Sequence, residues 1–380
     1  MPVMNRFFAA LFLLLSFSAS AVPIPEPPAL KAKSYALLDY DSGQLLAAKL
    51  PDAKVEPASL TKLMTLYIAF DQLRSGQIKM SDEVLVSEKA WRSEGSRSFM
   101  EVGKHIPLEA LLHGVIIQSG NDASIVLAEH MAGTEEVFAD LMNRYARTLG
   151  LTQSHFVNAT GLPHAELHTS AHDVARLSRA LIRDFPDRYP LFKEKEFVFN
   201  NIKQPNRNLL LWRDPSVDGL KTGHTETAGY SLAASAIRDG RRLISVVIGM
   251  DHEAARAEGS LALINYGFRF SETVTAVAVN TPVTTIRAWK GVQTELALGV
   301  ATTLRVAVPR GQSDKLQIKP ELDAPVFAPV SAGQALGKIT VSLNGKVLRQ
   351  EPLVALAALP EGGLWRRWSD EVRLLIQGAL

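Results

Sequence analysis

Residues 217–225 read VDGLKTGHT, and two largely apolar runs, 230–237 and 242–250, follow them. Asp239-Gly240 lies between the two runs, and this dipeptide is typical of a tight turn between antiparallel strands. The segment therefore predicts strands within 217–250 that end in an antiparallel hairpin.

Strands are also predicted near the start of the chain, at 34–40 and 44–49. Apolar residues recur at helical spacing in three further stretches: 59–73, most of 107–185, and 253–266. Strands thus lie at both ends of the first domain and helices mainly between them. This order predicts an α+β domain over residues 29–270, with helices packed on an antiparallel sheet.

Composition narrows the possible functions. The chain has 380 residues, no cysteine and a formal net charge of +2. The lack of cysteine excludes a thiol nucleophile and any cysteine-based zinc or iron–sulfur site. A charge so near zero argues against nucleic acid as a partner, because phosphate binding needs a dense basic face.

The first 21 residues have the pattern of a secretory signal peptide. Arg6 precedes an uncharged apolar run at 7–15, and the small residues Ala19, Ser20 and Ala21 form a cleavage signal. A membrane anchor is the alternative, but the run is shorter than the roughly 20 apolar residues of a spanning helix. We therefore expect a mature protein that starts at Val22 and works outside the cytoplasm.

Two further units are predicted after residue 270. Short β-rich runs dominate 271–356, which indicates a small all-β domain with a structural or spacer role. Residues 361–380 predict an amphipathic helix with Trp and Leu opposite Arg, a pattern typical of helices that lie in a membrane interface. A terminal helix packed on its own domain is the alternative.

Three short motifs carry the chemistry. Ser59 and Lys62 are three residues apart on a predicted helix, so the hydroxyl and the amine can meet. A serine becomes a nucleophile only when a base takes its proton, and a lysine can be that base if burial or a nearby cation lowers its pKa. The motif is weak when taken alone.

The second and third motifs are Ser119-Gly120-Asn121 and Lys221-Thr222-Gly223, which follow 60 and 102 residues further along. The serine offers a hydroxyl for proton transfer and the asparagine an amide for a substrate carbonyl. The lysine adds a second cation, and the threonine offers a donor for a carboxylate.

With the three motifs in this order, the chain resembles serine-type (peptidase S11-like) low-molecular-mass penicillin-binding proteins of the D-alanyl-D-alanine carboxypeptidase family. The segments around Ser59, 114–122, 156–162 and 217–230 carry the resemblance, which extends over 30–380. It implies a β-lactamase/transpeptidase-like catalytic domain, and a tail that attaches the protein peripherally to the outer face of the inner membrane. It also implies peptidoglycan stem peptides as substrates and β-lactams as inhibitors.

The resemblance also implies roles for individual residues. Ser59 would attack the carbonyl between two D-alanines, Lys62 would accept its proton, and Ser119 would pass a proton to the leaving group. The implied substrate-binding residues are Asn121, Lys221, Thr222, Gly223, His224 and Arg256. The backbone N–H groups of Ser59 and His224 would form the oxyanion hole. Lys221 would also keep Lys62 deprotonated.

Three other functions are alternatives to this one. A β-lactamase needs a glutamate that positions the deacylating water. Glu166 lies in the right interval, but Ser170 stands where such a loop has asparagine. A D,D-endopeptidase uses the same machinery and stays open, and a non-enzymatic wall-binding scaffold is disfavoured because every catalytic position is intact. His164, His168 and His172 are spaced by four, but two fall in a predicted loop, so no metal or cofactor is expected.

Overall fold

The computed structural model describes residues 25–376, so the predicted signal peptide at 1–21 lies outside the described residues. The strands of the first domain are β1 (Ser34–Asp39), β2 (Leu45–Lys49), β3 (Glu83–Leu85), β4 (His105–Pro107), β5 (Glu196–Phe199), β6 (Ile202–Pro205), β7 (Val217–Thr225), β8 (Gly229–Arg238) and β9 (Arg241–Met250). Its helices are α1 (Lys62–Ser75), α2 (Glu88–Trp91), α3 (Leu108–His113), α4 (Asn121–Ala132), α5 (Glu135–Thr148), α6 (Ala171–Asp184), α7 (Leu210–Arg213) and α8 (Glu253–Phe270).

A five-stranded sheet forms the centre of this domain, in the order β2-β1-β9-β8-β7, and all of its strand pairs are antiparallel. The N-terminal strands thus pair with the C-terminal hairpin, and this closes the domain around the helices. The α+β class predicted from the sequence is confirmed. Strand β7, which carries residues 221–223, lies at one edge of the sheet.

The two faces of the sheet bury separate apolar cores. One core joins Ala233 and Val246 of the sheet to α1 and α4 through side chains such as Leu66 and Val126. The other core packs α8 against the opposite face. The first core positions the site, because it fixes α1 and α4 beside β7.

Two helices begin or end with irregular turns that were not predicted. A 3₁₀ turn, Ala58–Thr61, precedes α1, and a π-helical turn, Gly114–Gln118, follows α3. The sequence predicted a continuous helix through each stretch. Ser59 and Ser119 sit at these two irregularities, where side chains can leave the regular helix surface.

A second domain follows α8 directly. Its strands are β10 (Ser271–Val277), β11 (Thr284–Trp289), β12 (Glu295–Gly299), β13 (Leu304–Pro309), β14 (Leu316–Leu322), β15 (Val326–Phe327), β16 (Ala335–Leu343) and β17 (Lys346–Ala355). They form a six-stranded sheet, β14-β16-β17-β12-β11-β15, and a two-stranded sheet, β10-β13, around an apolar core of their own. The predicted all-β domain is confirmed.

A polar cluster links the two domains. Asp39 at the end of β1 is fully buried, and Arg241 of β9 pairs with it at 2.9 Å. Thr273 of β10 donates a hydrogen bond to the same carboxylate, while Arg241 also donates to the carbonyl of Ser271 at 2.6 Å. The first domain is therefore joined to the second by a buried ion pair and its hydrogen bonds, as well as by the continuous chain.

The last helix, α9 (Leu364–Ile376), packs on the second domain through one narrow side. Asp370 shares the polar side of this helix with the arginines, yet it is fully buried and accepts a 2.8 Å hydrogen bond from the backbone N–H of Lys290. Leu374 is buried one turn further on. The exposed side chains include Trp365 at 85% and Trp368 at 64%. Among residues 25–376, no helix is long and apolar enough to cross a membrane.

Candidate active site

The three motifs meet at one cavity of about 470 Å³ between the helical region and strand β7. Ser59, Ser119, Asn121, Thr222 and His224 line it. The buried Lys62 and Lys221 lie directly behind this lining and reach it through Ser59 and Ser119. Residues that are up to 165 positions apart in the sequence thus surround a single cavity.

Lys62 lies beneath Ser59 at the start of α1. Its Nζ donates hydrogen bonds to Ser59 Oγ at 3.1 Å, to Asn121 Oδ1 at 2.7 Å and to the carbonyl oxygen of Thr160 at 2.6 Å. None of these three partners carries a charge. The amine is fully buried.

Burial lowers the pKa of Lys62 to about 7, because a charged amine loses its hydration inside the protein. Asp122 acts against this shift, and Arg207 adds to it through its positive charge. A substantial fraction of Lys62 is therefore neutral near pH 7 and can accept a proton from Ser59.

Ser119 and Lys221 form the second polar pair of the cavity. Lys221 Nζ donates to Ser119 Oγ at 2.8 Å and to the carbonyl oxygen of Thr222 at 3.1 Å. Burial lowers the pKa of Lys221 well below its usual range, and the positive charge of Lys62 lowers it further. Arg207 is a further cation that lowers the pKa of Lys62.

Close backbone approach fixes the position of Ser59. Gly161 has a φ of +84°, and an added Cβ there would collide with the carbonyl group of Ala58. An added Cβ at Gly223 would lie 3.1 Å from the carbonyl oxygen of Pro57. Glycine at both positions lets two other segments pack directly against the turn that presents Ser59.

Asn121 makes contacts that its predicted role does not include. Its Oδ1 accepts from Lys62, and its Nδ2 donates to the carbonyl oxygen of Glu94 at 2.6 Å. The backbone N–H of Asn121 donates to the carbonyl oxygen of Ser96 at 2.7 Å. Asn121 therefore joins Lys62 to the loop around 94–98, in addition to lining the cavity.

Comparison with known proteins agrees with the motif pattern. A family model described as "D-alanyl-D-alanine carboxypeptidase" matches residues 21–252, more than half of the chain. The chain belongs to this family. A second model, "Penicillin-binding protein 5, C-terminal domain", matches residues 272–361. The resemblance inferred from the three motifs is confirmed.

Relatives match almost the whole chain. D-alanyl-D-alanine carboxypeptidase DacC of Escherichia coli is 42% identical over 374 residues, which is 96% of this chain and 94% of the relative. DacA of the same organism is 39% identical, covering 93% and 89%. Penicillin binding protein 5 from Haemophilus influenzae superposes with a TM-score of 0.85 at 37% identity, over 89% of this chain and 100% of that structure.

As a member of this family, the chain is a serine-type carboxypeptidase, and the comparisons do not favour a β-lactamase. Glu166, the residue considered for a deacylating glutamate, is exposed and its backbone N–H bonds to His164. It is not part of the cavity lining. Within residues 25–376, no group of three or more His, Asp or Glu side chains is placed to hold a metal ion.

Arg256 of α8 is 4% exposed and lies in the cavity wall. Its guanidinium donates to the carbonyl oxygens of Gly223 and Arg207, both at 3.3 Å, and pairs with Glu253 at 2.6 Å. The ring of Tyr230 lies under it, with its centroid 5.5 Å from Cζ. The same ring is 4.0 Å from the ring of His224.

Sequence reasoning missed several lining residues, namely Ser96, Thr160, Gly161, Arg207, Tyr230 and Glu253. Arg207 follows the β5–β6 hairpin and donates to Ser96 Oγ at 2.9 Å. Asn208 beside it is buried and donates to the carbonyl oxygen of Gly219 at 3.0 Å. The one available signal was Asn200-Asn201, a pair suited to a tight turn, and both residues have positive φ.

Proposed function

We propose that this protein is a periplasmic D-alanyl-D-alanine carboxypeptidase that removes the terminal D-alanine from peptidoglycan stem peptides. The observation that carries the proposal is the contact between Ser59 Oγ and the buried amine of Lys62. A neutral amine within hydrogen-bond distance of a hydroxyl is the arrangement that general-base activation of a serine requires.

In the acylation step, Lys62 Nζ takes the proton of Ser59, and Oγ attacks the carbonyl carbon between the two D-alanines. Negative charge then develops on the carbonyl oxygen, which would lie between the backbone N–H groups of Ser59 and His224. Such a donor contributes about 3 kcal/mol to catalysis in other enzymes. The tetrahedral intermediate collapses when the C–N bond breaks.

The departing D-alanine needs a proton on its nitrogen. Ser119 Oγ, held by the Lys221 amine at 2.8 Å, can supply it. The proton that Lys62 took from Ser59 then passes to Ser119 in its place, so Lys62 is neutral again before deacylation. In the deacylation step, a water molecule attacks the ester while Lys62 accepts one of its protons. Ser59 is regenerated when that proton returns to Oγ.

The substrate ends in a carboxylate, and the cavity offers donors for it. Thr222 Oγ, Arg207 and Arg256 all belong to the lining near β7. A D-alanyl carboxylate bound there would place the scissile carbonyl towards Ser59. A β-lactam has a comparable amide and carboxylate, so we expect it to acylate Ser59 as well.

The decisive assay is D-alanine release from a peptide ending in D-alanyl-D-alanine, with Ser59→Ala as the comparison. Release by the wild type that is lost in the variant supports the proposal. If the wild type releases no D-alanine, the carboxypeptidase proposal fails. Turnover of benzylpenicillin by the same sample would then indicate a β-lactamase instead.

We further propose that the mature protein is held at a membrane surface by α9. The exposed Trp365 and Trp368 stand beside Leu364 and Leu375, which are 77% and 64% exposed. A helix with apolar residues on one side and arginine on the other favours a membrane interface. The predicted signal peptide at 1–21 supports export to the periplasm.

A further inference from the structure

A carboxylate of the protein itself stands in the wall of the active-site cavity. Glu253 is the first residue of α8, and its side chain is about half exposed at 48%. Its Oε1 lies 2.6 Å from Arg256 Nη2. Both residues line the cavity that holds Ser59.

The other contacts of Arg256 leave few positions for an incoming anion. A guanidinium has five N–H groups. The carbonyl oxygens of Gly223 and Arg207 accept from two nitrogens of Arg256, and Glu253 shares one of them. Because the arginine is 4% exposed, only a small part of it faces the cavity. Glu253 is an anion already bound to one of these nitrogens, at the cavity wall.

We propose that Glu253 is an internal competitor for the substrate's terminal carboxylate, and so sets the affinity of this site for anionic ligands. The inference rests on the proposed function, in which Arg256 helps to bind that carboxylate. Glu253 would then be a specificity-determining residue rather than a catalytic one.

The charges around the cavity determine whether Glu253 weakens or strengthens the binding of a substrate carboxylate. Arg207 and Arg256 bring two positive charges to the wall near Thr222, and Glu253 cancels one of them at short range. A substrate carboxylate must therefore either displace Glu253 from Arg256 or bind beside a like charge. Neutralising Glu253 removes this opposition, so binding of a free carboxylate becomes tighter.

Glu253 has a second contribution that the test must separate. An acidic residue in the first turn of a helix stabilises the helix through its dipole. The substitution Glu253→Gln keeps the shape of the side chain and an oxygen that can accept from Arg256. Any loss of helix stability is measured separately as a change in thermal midpoint.

The experiment measures binding in the Ser59→Ala background, where the peptide is not consumed. The probes are N-acetyl-L-lysyl-D-alanyl-D-alanine and the same peptide with a C-terminal amide, titrated by calorimetry. Glu258→Gln is the matched control, because Glu258 lies on the same helix, is exposed, and contacts Arg213 rather than Arg256.

We expect Glu253→Gln to lower the Kd of the free acid about two- to fivefold, the range that a partly exposed ion pair supports. The amide should be unaffected by this substitution, and Glu258→Gln should bind both peptides as the parent does. Weaker or unchanged binding of the acid by Glu253→Gln would overturn the inference, as would an equal gain for the amide. Failure of the parent to bind the acid at all would contradict the proposed function itself.

Discussion

Lys62 Nζ lies 3.1 Å from Ser59 Oγ, and its other two hydrogen bonds go to an amide oxygen and a backbone carbonyl. The lysine is thus held against the nucleophile by hydrogen-bond partners that carry no charge. This arrangement keeps the amine in the state that a base needs, and it determines how the enzyme should respond to pH.

Acylation should rise with pH and level off above about pH 7. Burial lowers the pKa of Lys62 to about 7, and only the neutral amine can take the Ser59 proton. The second-order rate constant for acylation by benzylpenicillin, measured from pH 5 to 9, should increase about tenfold per pH unit below the midpoint. A profile that is flat between pH 5 and 8 would rule out Lys62 as the base.

The same pKa shift also affects the pH dependence of folding stability. A lysine in a salt bridge has a raised pKa and stabilises the fold less as pH rises, whereas the lowered pKa of Lys62 has the opposite effect. The folded-state pKa of Lys62 lies below the unfolded value, so the unfolded chain binds more protons between about pH 7 and 10.5. This group alone therefore makes the fold more stable as pH rises through that window. In a Lys62→Met variant that contribution disappears, which denaturant unfolding at pH 7 and pH 9 can test. An unchanged difference between the two pH values would contradict the buried, neutral amine.

Arg207→Gln should move the pH midpoint of acylation upward. After burial, the positive charge of Arg207 is the influence that further lowers the pKa of Lys62, so its removal lets the amine hold its proton to higher pH. We expect a shift on the order of half a pH unit. Arg188→Gln is a suitable control, because Arg188 pairs with Asp187 and does not line the cavity. If Arg207→Gln changes KM alone and leaves the midpoint in place, the electrostatic link is wrong.

Gly161→Ala should disturb the turn that presents Ser59. The added Cβ would collide with the carbonyl group of Ala58, and the residue would also be held at positive φ. Gly150→Ala is the matched control, because Gly150 has a φ of +69° but no atom within 4 Å of an added Cβ. We expect the control to lose about 1 kcal/mol of unfolding free energy, and Gly161→Ala to lose more and to acylate at least tenfold more slowly. Equal losses in the two variants would show that the close approach is unimportant.

The double variant Trp365→Ser, Trp368→Ser should no longer bind lipid vesicles. Both indoles are exposed on α9, and their transfer into an interface is the main apolar gain available to this helix. Flotation with vesicles of phosphatidylethanolamine and phosphatidylglycerol measures the effect, and Trp212→Ser, at another exposed tryptophan, is the control. Undiminished flotation of the double variant would exclude α9 as the anchor.

Local patterns in the sequence were sufficient to predict the central sheet. Asp239-Gly240 and the apolar runs beside it predicted the hairpin that the structure shows as β8 and β9. The hairpin forms where predicted because turn chemistry and strand pattern agree over adjacent residues. The three motifs likewise predicted which side chains share the cavity.

The features that the sequence did not predict depend on contacts between segments far apart in the chain. Arg207 reaches the cavity because the buried Asn206 and Asn208 fix its loop to the carbonyl oxygens of Glu194 and Gly219, and no short pattern encodes this. Asp370 is buried because Lys290, eighty residues earlier, offers a backbone N–H at the helix surface. An amphipathic pattern gives the polar side of a helix, but it cannot show that a partner lies there.

The most direct test of the central claim is the location of the acyl group. The protein is treated with benzylpenicillin, digested, and analysed by mass spectrometry for the modified peptide. We predict a single adduct on Ser59, which is absent from Ser59→Ala and slow to form in Lys62→Met. An adduct on any other residue, or one that persists in Ser59→Ala, would contradict the assignment of Ser59 as the nucleophile that Lys62 activates.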